Sequence, residues 1–192
     1  MSTILRFKFK GQRSYVHGAD IVNSVMAHFS YLGNTQFDIK FNGMSTYNLS
    51  LVPGDESERA KALIAITRME ENETEYWQLL ETDEPVTDHY EYHEENVRLA
   101  CELSSEEKLV SLLQDPPFTF CENIVAMNKY LLETLFPEVG GKWYFTKIEL
   151  FNVPEDNAKV SVKLVKNFGF RLTKSNITYD GRVIGVIYFS LA

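Results

Sequence analysis

Two short stretches bring polar side chains to the start of an apolar run, where a polypeptide can do chemistry. The first reads Tyr15-Val16-His17-Gly18-Ala19-Asp20-Ile21-Val22, and the second Phe118-Thr119-Phe120-Cys121-Glu122-Asn123-Ile124-Val125. If each run is a helix, its first backbone N–H groups are unsatisfied and its dipole adds positive potential, a combination that polarises a carbonyl oxygen. His17 stands beside that point. An imidazole there can take a proton from water or from a carbon next to a carbonyl, acting as general base or hydrogen-bond donor, with Asp20 as its polar companion. The second stretch offers Glu122 and Asn123, while Phe120 occupies the place of His17, so any such site is single and asymmetric. A structural role fits the same residues. His17 can be a helix-entry histidine bonded to backbone, and Asp20 and Asn123 can be helix caps worth about 1 kcal/mol each, the reading that their recurrence favours.

Other reactive types point to ordinary roles. His89 and His93 have the spacing that binds a metal on a helix. The alternation around Tyr90 and Tyr92 favours an extended segment, in which residues four apart stand about 13 Å apart, too far for one ion. No metal site is expected. Cys101 and Cys121 are too few for a disulfide framework and read as buried thiols of a reducing compartment. The glycines form neither a dinucleotide fingerprint nor a phosphate-binding loop, so no resident cofactor is expected.

The charge is uneven. The 192 residues carry 19 basic and 27 acidic groups, a net of −8. Asp55 to Glu107 hold 17 acids against 4 basic groups, whereas Lys142 to Ala192 hold 8 basic groups against 4 acids. The overall balance argues against nucleic acid, and the basic end offers a local place for a phosphate or an acidic partner. No apolar stretch approaches the ~20 residues that cross a bilayer, and the first residues alternate basic and apolar types instead of forming a signal sequence, so a cytoplasmic location is expected.

These residues must be positioned by recurring elements. Ile21, Val22, Val25, Met26, Phe29 and Leu32 recur at helical spacing, as do Ile124, Asn128, Leu131, Leu132 and Leu135, predicting helices over 18–32 and 121–135. Strand-like segments follow each in the same order: Phe37 to Phe41 matches Tyr144 to Ile148, Leu49 to Val52 matches Val162 to Val165, and Ile66-Thr67 matches Ile177-Thr178. Asp180-Gly181 predicts a two-residue hairpin. Period two from Val97 to Leu103 predicts a strand, and Ser104 with Glu107 resembles a capping box opening an extra helix over 105–114. The chain thus reads as two related halves, 1–92 and 93–192, forming one compact unit with approximate twofold symmetry.

Each half, with a strand, one long apolar helix and several antiparallel strands, resembles the hotdog fold. Two copies in one chain imply an α+β double hotdog, with two long helices each wrapped by a curved antiparallel sheet; the competitor is a ferredoxin-like or other two-layer sheet. The resemblance to hotdog thioesterases and dehydratases implies an acyl-thioester site near a helix N-terminus, with His17, Asp20, Glu122 and Asn123 as the residues to carry it. Dehydratases of this kind pair a His with an acid about fourteen residues on, where this chain has Tyr31. Lys159, Lys163, Lys166, Arg171 and Lys174 would then hold the phosphates of acyl-CoA or face an acidic acyl carrier protein. A non-catalytic module that binds an acyl chain or a partner is the alternative, and homodimerisation is left open.

Overall fold

The computed structural model describes residues 2–29, 35–55, 58–154, 157 and 159–192. They divide into two compact units, residues 1–92 and 93–192. Among the described residues no helix is long and apolar enough to cross a membrane.

The first unit runs β1 (Thr3–Leu5), β2 (Phe9–Lys10), α1 (Gly18–His28), β3 (Thr35–Phe41), β4 (Tyr47–Pro53), β5 (Ala62–Arg68), β6 (Glu73–Pro85) and β7 (His89–Tyr90). Ala19, Ile21, Val22 and Val25 give α1 a buried face. The helix stops sooner than its spacing predicts: Phe29 closes it by donating to the Val25 carbonyl, and Tyr31 and Leu32 lie outside the described residues. In the strands, period-two burial of Phe37 and Ile39, Leu49 and Leu51, and Ala62 and Ile64 puts one face of an antiparallel sheet into the core. Its neighbour order is β1-β4-β6-β5-β3. Phe29 packs edge-on against Trp77 of β6 at 5.1 Å between centroids, which seats the end of α1 on that face. Apart from this sheet, β2 and β7 form a two-stranded parallel ribbon with Phe9 opposite His89 and Lys10 opposite Tyr90.

The second unit runs α2 (Glu95–Leu99), β8 (Cys101–Ser104), β9 (Leu109–Leu112), α3 (Phe120–Leu135), β10 (Trp143–Leu150), β11 (Val160–Asn167), β12 (Thr173–Tyr179) and β13 (Arg182–Leu191). α3 packs on β9, β10 and β11. Ile124, Met127, Leu131 and Leu132 are fully buried there, opposite the inward Val160, Val162 and Ile177 of the sheet. Asp180 and Gly181, with φ of 49° and 76°, form the tight primed turn between β12 and β13.

Two sequence expectations fail in this unit. The segment 105–114 is not a helix: 105–108 is a turn with Lys108 at φ 55°, and β9 follows it, paired to both β8 and β11. The Ser104 hydroxyl does accept from Glu107 N–H at 3.3 Å, the local bond of a capping box, but here it closes a hairpin. Ladder pairing on both sides of β9 outweighs the helical signal, as short-range propensity commonly yields to tertiary pairing. Val97 to Leu103 is likewise not one strand. Val97 is fully buried while Leu99 is 83% exposed, as the short helix α2 places them and a strand would not. α2 is tied to α3 by Arg98 with Glu133 at 2.6 Å and Lys129 with Glu94 at 2.8 Å.

From the long helix onward each unit continues with four sheet strands, but the order of neighbours in the sheet differs. In the second unit, β11, β12 and β13 form a simple meander, and β10 joins at β13. In the first, the long β6 lies between β4 and β5, and β3 joins at β5. Connection length explains the difference. β12 and β13 are two residues apart and must pair, whereas the connection 54–61 between β4 and β5 leaves a gap between them that β6 fills.

Candidate functional site

The backbone of His17 is extended, with φ −75° and ψ 137°, and its carbonyl accepts the N–H of Asp20 at 3.0 Å and of Ile21 at 3.2 Å, which starts α1. His17 is therefore the N-cap residue, and its imidazole does not cap the helix. Val16 N–H, donating to the Ser45 carbonyl at 2.8 Å, fixes the chain just before it. Gly18 and Ala19, the first helical residues, carry N–H groups that no preceding helical turn can satisfy.

Asp20 lies at the third helical position, and its carboxylate is bound from outside the helix. One oxygen is 3.4 Å from the Lys10 ammonium and the other accepts the Tyr90 hydroxyl at 2.8 Å. Lys10 is fully buried, with its ammonium 3.9 Å from the Tyr92 ring centroid and 5.9 Å from that of Tyr90. A buried ammonium demands such compensation, here a carboxylate and two ring faces. The parallel pairing of Lys10 with Tyr90 and the His89 Nδ1 contact with the Gly11 carbonyl at 2.9 Å hold this clasp together. It secures the first turn of α1 through Asp20, beside His17.

The start of α3 is built differently. Thr119 is its N-cap: its hydroxyl accepts the Glu122 N–H at 3.3 Å, while Glu122 Oε2 accepts the Thr119 N–H at 2.9 Å. Glu122, not Asn123, is therefore the positional counterpart of Asp20, since each is third in its helix. Asn123, one position deeper and fully buried, donates from Nδ2 to the Phe118 carbonyl at 3.3 Å. Neither Asp20 nor Asn123 occupies a cap position. The pattern Thr119-x-x-Glu122 is a signal for the α3 cap that the choice of Asn123 passed over. Lys10 and Tyr90 had no comparable signal, because nothing local links residues so far apart in the chain.

The five basic residues do not converge. Lys163 and Lys166 of β11 and Lys174 of β12 lie on the sheet face opposite α3, with Lys166 and Lys174 in register. Lys147 and Tyr188 extend that row across β10 and β13, since Lys174 pairs with Tyr188 and Tyr188 with Lys147. No carboxylate lies within 4.0 Å of Lys163, Lys166 or Lys174 among the described residues. Lys159 is instead paired with Asp180 at 3.4 Å, at the end of the β11–β12 hairpin remote from the exposed Arg171. Those ends are about 23 Å apart along the strand.

The remaining candidates have separate partners. His89 meets Gly11, while His93 Nδ1 lies 3.1 Å from Glu95, whose carboxyl is held below the usual range chiefly by a backbone hydrogen bond. Among the described residues no group of three metal-ligating side chains occurs. Cys121 is buried in the first turn of α3, and burial pushes the Cys101 thiol up to about 11. An open cavity of about 540 Å³ in the first unit is lined by Asn42, Glu58, Arg59, Lys61, Leu80 and Glu81, away from the start of α1 in sequence.

No known family profile and no curated protein matches the sequence. Solved structures do. A tesB protein of Mycobacterium avium subsp. paratuberculosis is 9% identical, with a TM-score of 0.51 over 100% of this chain and 93% of that one. The dehydratase domain of MlnD from Bacillus amyloliquefaciens is 9% identical, with a TM-score of 0.49 over 99% of this chain and 92% of its own. A 12:0-ACP thioesterase from Umbellularia californica is 7% identical, with a TM-score of 0.47 over 100% and 96% of the two chains. At such identity a structural likeness speaks for fold and not for activity. With apolar helices and extensive antiparallel strands, and with the likeness to the mycobacterial protein, the chain has the hotdog fold.

Proposed function

We propose that the chain is a double hotdog that binds acyl thioesters, with the start of α1 as its reactive end. The observation that carries this reading is His17, whose imidazole does not cap α1 although it stands at the N-cap, next to the first-turn N–H groups of Gly18 and Ala19. A thioester carbonyl presented there would accept those N–H groups, which stabilise the oxyanion that forms when water attacks. His17 takes the proton from the attacking water and returns it to the departing thiolate, so that acid and thiol leave neutral in charge balance. With a 3-hydroxyacyl thioester, the same base would remove the α-proton and return it to the 3-hydroxyl as the C–O bond breaks, so that water leaves and the enoyl thioester remains. Asp20 is bound to Lys10 and Tyr90, and its part is to hold the turn that carries His17. The outward lysines 163, 166 and 174 would receive an acidic carrier protein or the phosphates of CoA.

The test is turnover of a panel of acyl-CoA, acyl-carrier and 3-hydroxyacyl thioesters, read as free thiol and as the enoyl chromophore. His17→Ala should abolish turnover and leave the melting temperature nearly unchanged. No turnover by the unmodified protein at any chain length would overturn the catalytic reading.

One observation favours a second reading, a non-catalytic acyl-chain or partner-binding module. Both first-turn carboxylates are committed, Asp20 to Lys10 and Tyr90, and Glu122 to Thr119. Native mass spectrometry showing co-purified lipid, together with no turnover, would select it.

A further inference from the structure

The interior of the second unit holds polar atoms that the fold does not use. Asn128 lies in the middle of the buried arc of α3, one turn from Ile124 and beside Leu131 and Leu132, and is fully buried. Neither its Nδ2 nor its Oδ1 has a hydrogen-bond partner. Ser175 of β12 is also fully buried, and its hydroxyl is unpartnered. Its ladder neighbours are Leu164 and Ile187, so it stands on the same inward face of the sheet that α3 covers. A buried polar group left unpaired costs about 1–3 kcal/mol, and leucine, which shares the branched outline of asparagine although its methyls are bulkier, carries no such cost. A core built only for stability would not place an unpaired carboxamide among leucines and isoleucines.

We infer that Asn128 is a specificity-determining residue that reads a hydroxyl on an acyl chain held inside the second unit. A carboxamide presents one donor group and one acceptor, and a hydroxyl both accepts and donates, so a single hydroxyl answers Nδ2 and Oδ1 together. The apolar surroundings take the rest of the chain. Ser175 offers a second polar contact on the facing layer. The inference rests on the acyl-binding reading but not on catalysis or on His17. An ordered water offers the same hydrogen bonds as a ligand hydroxyl, and the experiment separates the two.

Matched medium-chain acyl pantetheine thioethers, which cannot be hydrolysed, serve as probes: one unsubstituted, the others bearing one hydroxyl at successive carbons. Binding is measured by calorimetry on the full chain. The unmodified protein should prefer one hydroxylated isomer by about tenfold over the unsubstituted chain. Asn128→Leu should reverse that preference and raise the melting temperature of the ligand-free protein. Ser175→Ala, a smaller change, should reduce the preference in the same direction. If both probe types bind equally, or if Asn128→Leu lowers stability and leaves the preference intact, Asn128 is paired to structural water and the inference fails. If no probe binds at all, the acyl-binding reading fails, and this inference with it.

Discussion

The buried ion pair at the start of α1 should be the most sensitive electrostatic point in the first unit. Lys10 and Asp20 stand 3.4 Å apart, with the lysine fully buried and the aspartate side chain 15% exposed. At an effective dielectric of about 20, two unit charges at that distance attract by roughly 5 kcal/mol, set against the cost of removing both from water. Lys10→Met keeps the length of the side chain and removes the charge. It leaves a largely buried carboxylate that retains its Tyr90 bond, so the expected loss is about 3–4 kcal/mol. Asp20→Asn should cost a similar amount by leaving an ammonium among tyrosine rings. The double variant should recover most of the loss, because neither charge then remains buried. The assay is urea denaturation of all four proteins, followed by far- and near-ultraviolet circular dichroism to check that the m-value is constant. If Lys10→Met stays within about 1 kcal/mol of the unmodified protein, the pair behaves as a solvated surface contact and the clasp does not hold the helix. Strict additivity of the two single variants would refute the coupling as well.

Three further outcomes follow from local geometry. Thr119→Ala removes the α3 cap and should cost about 1 kcal/mol in denaturant melts, with faster amide exchange confined to the first turn. Gly185→Ala would bring a Cβ within 2.6 Å of the Glu149 carbonyl oxygen, and Gly43→Ala meets nothing within 4 Å. The first should therefore lower stability by about 2 kcal/mol and the second should be near neutral by the same melts. The Cys101 thiol is raised by burial from 9.0 to about 11, so between those values the unfolded chain has lost a proton that the folded one keeps. Stability should fall as pH rises through that window, and Cys101→Ala should remove this part of the pH profile.

The elements most legible in the sequence were those whose own side chains decide them. α3 shows its apolar spacing, and the β12–β13 turn shows Asp180-Gly181. Legibility failed where distant partners decide. The segment 105–114 carries a local helix signal, yet its residues pair on both sides as β9. Leu99 fits an alternating pattern with Val97 only until α2 turns it to solvent. The repeat aligned Asp20 with Asn123, one position away from the structural match with Glu122, because shared residue types do not report helical position. The Lys10–Tyr90 clasp joins residues 80 apart and left no periodicity to find.

The two helix starts solve one physical problem in opposite ways. At α3 the hydroxyl of Thr119 and the carboxylate of Glu122 satisfy the first turn and its cap from within a span of three residues. Chemistry there would have to displace a cap worth about 1 kcal/mol. At α1 the residue in the cap position is His17, whose side chain does not cap, followed by Gly18, which adds no side chain of its own. Asp20, which holds the helical position of Glu122, is bound by Lys10 and Tyr90. The clasp thus fixes the position of α1 from outside the helix. A helix start stabilised from outside keeps its dipole and donors available to a ligand, whereas one stabilised from inside spends them.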